Sequence, residues 1–209
     1  MEQFINKLKN ALLLPLPGEE VQYQMAPLNR QRIAVQRLKV SEFKPSAVML
    51  LFCMDEVGEH FIPLTQRLDY NGAHSGQISL PGGKFDSLDA NLQHTALREC
   101  DEEIGINRVE VLGKLTPLFI PLSGFLVHPF VGFCDVKNPP MPYQKREVRS
   151  IIKLTKTDLL NDSIIKQGTL DFINKMKIKT PYFEVNEQRV WGATAMMLNE
   201  LKEIIKTIS

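Results

Sequence analysis

The sequence lacks long apolar segments, has few cysteines and carries almost no net charge, and each absence argues against a class of protein. No segment approaches the ~20 apolar residues that a membrane-spanning helix requires. The three cysteines, Cys53, Cys100 and Cys134, lie scattered in apolar stretches, which indicates buried thiols in a reducing compartment. A net charge of +1 argues against the basic surface that DNA or RNA requires. We therefore expect a cytoplasmic protein whose partners are neither membranes nor nucleic acids.

The length of 209 residues suits one domain with an N-terminal extension. Apolar residues recur at helical spacing from Phe4 to Leu12, and the pattern stops at Pro15, so we expect a short amphipathic helix rather than a signal peptide. Residues 1–45 are interpreted as this helix followed by an irregular extension, and residues 46–209 as the main domain. The role of the extension stays open at this point, and capping a sheet is one possibility.

Hydrophobic patterning in the main domain alternates between strands and helices. Strands are expected at 47–53, 60–65, 77–80, 109–115, 126–136, 147–154, and on both sides of a turn at Asn186 between 177 and 190. Helices are expected at 90–104, 156–161 and 192–208. Because strands run together with helices before and after them, the fold class is predicted as α+β, with a mixed sheet packed between helices.

A glycine-rich segment precedes the helix expected at 90–104. Residues 80–84 read Leu-Pro-Gly-Gly-Lys, which predicts a tight turn in which Gly82 and Gly83 permit a close backbone approach. Asp89 is a plausible N-cap for the helix, and Gly105 is well placed as its left-handed C-terminal residue.

The end of that helix carries the strongest chemical signal in the chain. Residues 98–105 read Arg-Glu-Cys-Asp-Glu-Glu-Ile-Gly. At about 100° per residue, Glu99, Glu102 and Glu103 fall within about 100° of arc. Such crowding is costly without a cation, and hard oxygen donors of this kind suit Mg²⁺ or Mn²⁺. Arg98 is expected to brace the glutamates by ion pairing.

These residues resemble the signature of the Nudix hydrolases, a glycine and an acidic residue followed by Arg-Glu-x-x-Glu-Glu-x-Gly, with Asp89 where most of the family has Glu. Leu-Thr-Gln-Arg at 64–67, the segment 74–84 and the segment 189–195 further resemble the coenzyme A pyrophosphatase branch. One departure lies at 70–73, where that branch usually carries a second arginine and this chain has none.

The resemblance implies a Nudix-type α/β/α sandwich and a hydrolase that cleaves nucleotide pyrophosphates with Mg²⁺ or Mn²⁺. Its implied substrate is coenzyme A or a derivative, cleaved to 3′,5′-ADP and 4′-phosphopantetheine. The alternatives are a pyrophosphatase for ADP-ribose or NADH-like dinucleotides, and a non-catalytic nucleotide sensor. A homodimer is compatible with the sequence but not required by it.

The site residues follow from the same resemblance. The metal ligands are Glu99, Glu102 and Glu103, and the proton acceptor is either one of them or Glu147 from a later loop. The remaining candidates bind or orient the substrate, or shape the site: Arg67, Lys84, Gly82, Gly83 and Arg98. Trp191 is expected to pack in the core rather than to stack on a base.

Overall fold

The computed structural model describes residues 2–28, 30, 32, 39, 43–68, 77–171 and 177–208. The α-helices are α1 (Glu2–Ala11), α2 (Glu19–Gln22), α3 (Leu92–Ile104), α4 (Lys156–Leu160) and α5 (Gly192–Lys206). The strands are β1 (Lys44–Met54), β2 (His60–Arg67), β3 (Ile78–Ser79), β4 (Gly82–Lys84), β5 (Glu110–Lys114), β6 (Leu118–Ile120), β7 (Phe125–Lys137), β8 (Val148–Thr155), β9 (Ile165–Asp171), β10 (Lys177–Val185) and β11 (Gln188–Trp191).

The main sheet has eight strands and is built around β1, whose residues Met49 to Met54 are all buried. A strand that is apolar on both faces must be covered on both faces, which places β1 in the interior of the molecule. β1 pairs in parallel with β7 and antiparallel with β2 and β4. The sheet is therefore mixed, as predicted.

Helices cover both faces of this sheet. On one face, α3 packs Cys100 and Ile104 against Met49 and Leu51 of β1. On the other face, α1 and α5 join a larger apolar cluster that includes alternate residues of β1 such as Leu50. The α/β/α arrangement is thus confirmed, with α3 held at a fixed depth by its apolar stripe.

The N-terminal extension is packed into the same core. Leu8 of α1 is fully buried. Glu200 of α5 is also buried, and its carboxylate binds the segment that follows α1. Its oxygens accept hydrogen bonds from the Gly18 backbone N at 3.1 Å, from Gln22 Nε2 at 2.7 Å and from Thr116 Oγ1 at 2.6 Å. The bonds from Gly18 and Gln22 fix the position of α2 against α5. The domain division at residue 45 stays a prediction.

A second sheet of three strands follows the main one, with the order β11-β10-β9. The predicted pair of strands around Asn186 is present as β10 and β11, where Asn186 and Glu187 both adopt positive φ in the turn. Strand β9 and the short strand β6 have no counterpart in the sequence predictions. Over the described ranges, every helix is too short or too polar to span a lipid bilayer.

Candidate active site

Helix α3 begins at Leu92, two residues after the start predicted at 90. Its N-cap is Asn91, whose side chain accepts a hydrogen bond from the His94 backbone N at 2.9 Å. The prediction that Asp89 caps the helix is therefore wrong, because that carboxylate is engaged elsewhere. At the other end the prediction is confirmed: Gly105 has φ 71° and donates its backbone N–H to Asp101 at 2.9 Å.

Asp89 anchors an arginine of the helix. Its side chain is 1% exposed and accepts bonds from Arg98 Nε at 2.9 Å, from Arg98 Nη2 at 3.0 Å and from Thr95 Oγ1 at 2.8 Å. The bidentate Arg98 guanidinium holds the pKa of this carboxyl well below its usual range. One edge of Arg98 is thereby fixed in position.

The other edge of Arg98 points to the glutamates. Nη1 donates to Glu99 Oε1 at 2.8 Å and to Glu102 Oε2 at 3.1 Å. The ion pairs expected between Arg98 and the motif glutamates are thus present. Since Arg98 is held by Asp89, it acts as a rigid support that sets where these two carboxylates lie.

The segment predicted as a tight glycine turn is instead the edge strand β4, paired with β1, and neither glycine has a positive φ. The close approach that the glycines were expected to permit is present. A Cβ added at Gly82 would lie 2.5 Å from the Ala47 carbonyl oxygen, and one at Gly83 would overlap the carboxylate of Glu99. Gly83 therefore provides the space in which the Glu99 side chain lies.

Four carboxylates gather beside β4, and we call Glu99, Glu102, Glu103 and Glu147 the glutamate cluster. Burial raises the pKa of Glu103 to about 7; the positive charge of Arg67 opposes this shift, and the charges of Glu99 and Glu147 add to it. Burial also raises the pKa of Glu99; its contacts with Arg98 oppose the shift, and Glu102 and Glu147 reinforce it. Glu147, from the loop before β8, thus lies within electrostatic range of the helix glutamates.

The chemistry of the glutamate cluster fits a hard divalent cation, because it supplies oxygen donors that repel one another. As the side chains stand, no three acidic, histidine or cysteine groups in the described part of the chain converge closely enough to hold a metal. The reason is visible at Arg98, which engages one oxygen each of Glu99 and Glu102. A metal bound by these glutamates would therefore compete with Arg98 for their oxygens.

The glutamate cluster forms one wall of a cavity of about 1010 Å³. Arg67 and Lys84 line the same end of this cavity; Thr65 Oγ1, beside it, donates to Glu103 at 3.4 Å. Away from this end the lining is mixed: apolar side chains such as Val48, Phe125 and Met197 stand beside a few polar ones, among them Arg30 and Ser123. The cavity thus pairs a charged end with an apolar surface, as a substrate with a pyrophosphate and a less polar portion requires.

The cavity also includes residues whose role the sequence did not indicate. Trp191 was predicted to pack in the core rather than to stack on a base; it is half-buried and lines the cavity, so it is not a fully buried core residue. Its place in the segment 189–195 was an available signal. Pro27 and Arg30 also line the cavity, from an irregular segment that carries no motif. The segment 69–76, which includes the region without a second arginine, lies outside the described residues.

Residues 43–171, more than half of the chain, match the family profile of the NUDIX domain. The chain belongs to the Nudix hydrolase family. It is 36% identical over 143 residues to an uncharacterized Nudix hydrolase, NudL, of Yersinia pestis (strain Pestoides F), and the same values hold for NudL of Yersinia pseudotuberculosis serotype O:1b (strain IP 31758). The match covers 67% of this chain and 70% of either relative.

The solved structure of a MutT/nudix family protein from Enterococcus faecalis supports the fold. It superposes with a TM-score of 0.50 at 15% sequence identity, over 90% of this chain and 73% of that chain. As a Nudix hydrolase, the protein is a pyrophosphohydrolase that acts on nucleotide pyrophosphates, and enzymes of this family generally need a divalent metal ion.

Proposed function

We propose that this Nudix hydrolase cleaves the pyrophosphate of coenzyme A or its derivatives, giving 3′,5′-ADP and 4′-phosphopantetheine, with Mg²⁺ or Mn²⁺ as the metal. The observation that carries the proposal is the meeting of three distant segments in one cavity. Arg67, residues 77–84 with the exception of Pro81, and residues 191–194 all line it, and each belongs to a segment that resembles the coenzyme A pyrophosphatase branch.

In this proposal Glu99, Glu102 and Glu103 hold the metal. When bound, the metal neutralises charge on the pyrophosphate oxygens and lowers the pKa of a coordinated water. Arg98 positions two of the glutamates without touching the substrate, since its two edges are occupied by Asp89 and by the glutamates themselves.

The cations at the charged end contact the phosphates. Arg67 has a buried Nε without a hydrogen-bond partner and lies near Glu103, so it can bridge the metal ligands and a phosphate oxygen. Lys84 is exposed at the same end. The proton of the attacking water passes to Glu147 or to one of the other members of the glutamate cluster, all of which line the cavity.

The main alternative is a pyrophosphatase for ADP-ribose or NADH-like dinucleotides, which lack the 3′-phosphate of coenzyme A. The absence of the second arginine from 70–73 favours this alternative. A non-catalytic sensor is the third possibility, and the presence of all three motif glutamates argues against it. The cytoplasmic location and a homodimer also stay predictions.

The deciding experiment incubates the purified protein with Mg²⁺ or Mn²⁺ and coenzyme A, ADP-ribose or NADH, and follows products by phosphorus NMR. Release of 3′,5′-ADP, lost in Glu102→Gln, is expected. Asp101→Asn is the matched control, since Asp101 is exposed on the same helix and does not line the cavity. Cleavage of ADP-ribose or NADH alone would replace the proposed substrate. If all three substrates stay intact, other nucleotide pyrophosphates are tested next, and the sensor is favoured only if these stay intact as well.

A further inference from the structure

Arg30 brings a half-buried cation to the cavity from the N-terminal extension. It follows α2 and lines the cavity, and its Nη2 donates to the Phe119 carbonyl at 2.6 Å. The guanidinium carbon lies 5.8 Å from the centre of the Tyr23 ring. The Nε atom is buried and has no hydrogen-bond partner. The side chain is thus held in place while part of its donor capacity is unused.

The charge of Arg30 is not balanced by an acid among the described residues. Burial lowers the pKa of its guanidinium, and the contributions that oppose this come from Tyr23. Arg98, in contrast, is paired with three carboxylates. A half-buried cation with no counter-charge among the described residues is costly, and an anionic ligand in the cavity would supply that charge.

A second unused polar group lies nearby. Ser123 belongs to the turn that directly follows β6, the strand whose Phe119 accepts the bond from Arg30, and it lines the same cavity. Its Oγ is buried without a hydrogen-bond partner. Rotation about its Cα–Cβ bond can turn this hydroxyl towards a ligand. A guanidinium and a hydroxyl together form a suitable donor set for a phosphate.

Three strand spacings of the main sheet separate this pair of groups from β4, beside which the glutamate cluster lies. Lys84 of β4, at the charged end, pairs with Ser46 of β1, and Ser46 pairs with Val127 of β7. Val127 in turn pairs with Leu118 of β6, the residue before Phe119. Three strand spacings of about 4.8 Å separate the ends of this row by about 14 Å. A ligand on Arg30 and Ser123 would therefore lie apart from a pyrophosphate at the glutamates.

We propose that Arg30 and Ser123 form a second anion subsite that binds a phosphate monoester on the substrate. The inference rests on the proposed function, because it assigns selectivity within the same cavity. It gives the N-terminal extension a part in substrate choice. It also supplies, from a different segment, a cation that is absent from 70–73.

The kinetic test compares coenzyme A with 3′-dephospho-coenzyme A. In Arg30→Gln, the ratio of their kcat/KM values is expected to fall by about 10- to 100-fold, mostly through the KM of coenzyme A, the range expected for a charge-assisted hydrogen bond. Arg32→Gln is the matched control, because Arg32 is exposed, contacts the same Tyr23 ring at 5.2 Å and does not line the cavity. An unchanged ratio in Arg30→Gln would overturn the proposal.

Two further measurements keep the test independent of folding and of turnover. Ser123→Ala leaves the Arg30–Phe119 bond intact and should lower the same ratio by about 3- to 10-fold. Calorimetry without metal should show that the wild-type protein binds 3′,5′-ADP at least about tenfold tighter than 5′-AMP, and that Arg30→Gln removes the difference. If turnover of coenzyme A fails but this preference holds, the proposed function falls and the subsite stands. Equal binding of the two nucleotides by the wild type would refute the subsite.

Discussion

Replacing Glu103 by glutamine should stabilise the metal-free enzyme at alkaline pH and at the same time abolish its activity. Glu103 is 4% exposed, and burial raises its pKa from 4.5 to about 7. The difference corresponds to about 3 kcal/mol of unfolding free energy, which the folded protein loses when this carboxyl is ionised. Glutamine has nearly the same shape and carries no charge to desolvate.

The pH dependence of this effect has a definite sign. Because the folded-state pKa is raised, the protonated carboxyl carries no penalty below pH 4.5, and stability is lost as the pH rises through about 7. Wild type and Glu103→Gln should therefore unfold at similar temperatures at pH 4.5. At pH 8 the variant should melt higher by about 6–12 °C, given about 2–4 °C per kcal/mol for a chain of this size. Thermal unfolding by circular dichroism in EDTA measures both.

Glu102→Gln is the control that separates stability from metal binding. Glu102 is also a proposed ligand, but its side chain is 53% exposed and its ion pair with Arg98 lies at the surface. Its replacement should abolish turnover and change the unfolding free energy by less than about 1 kcal/mol at either pH. The reasoning fails if Glu103→Gln melts no higher than the wild type at pH 8, or if its gain is the same at pH 4.5.

Three other changes probe the supports of the site. Asp89→Asn should lower the free energy of unfolding in urea by about 2–3 kcal/mol at pH 7, because it leaves Arg98 half-paired. Since the pKa of Asp89 is depressed, the wild type should lose this advantage as the pH falls below 3.8, and a difference that stays constant with pH would contradict the ion pair. Gly83→Ala should displace Glu99 and reduce kcat/KM by about 100-fold with little change in melting temperature, and retained activity would argue against this packing. Glu200→Ala should destabilise the fold by about 2–4 kcal/mol, because it leaves buried donors unpaired, and a loss below 1 kcal/mol would count against that role.

Local pattern predicted most of the elements, and the signature helix best of all. Its apolar stripe, its three glutamates and its terminal Gly105 all depend on spacing along one helix, which the sequence displays directly. The start of the helix was misplaced because Asp89 and Asn91 are both good capping residues. Asn91 caps the helix because Arg98, nine residues after Asp89, engages the Asp89 carboxylate. Capping propensities do not take such a distant partner into account.

The edge strand β4 was missed for a related reason. Adjacent glycines usually indicate a turn, but here they are extended, and what requires glycine is the nearness of the Ala47 carbonyl and the Glu99 carboxylate. Both neighbours come from elements distant in the chain. The sequence predicted both a tight turn and a close backbone approach at these glycines, and only the close approach is present, because glycine is compatible with either.

The position of Arg30 could not have been predicted, and the physical reason lies in the core. The segment around Arg30 shows no hydrophobic periodicity. The position of Arg30 depends instead on the hydrogen bond from Gln22 to Glu200 and on the bond from Arg30 itself to Phe119. These contacts span up to 178 positions of the chain. Glu200, a buried carboxylate on the last helix, thus holds the N-terminal extension in the position from which Arg30 reaches the cavity. Selectivity in this enzyme is therefore expected to depend on residues outside the family motif, at the places where the two ends of the chain pack together.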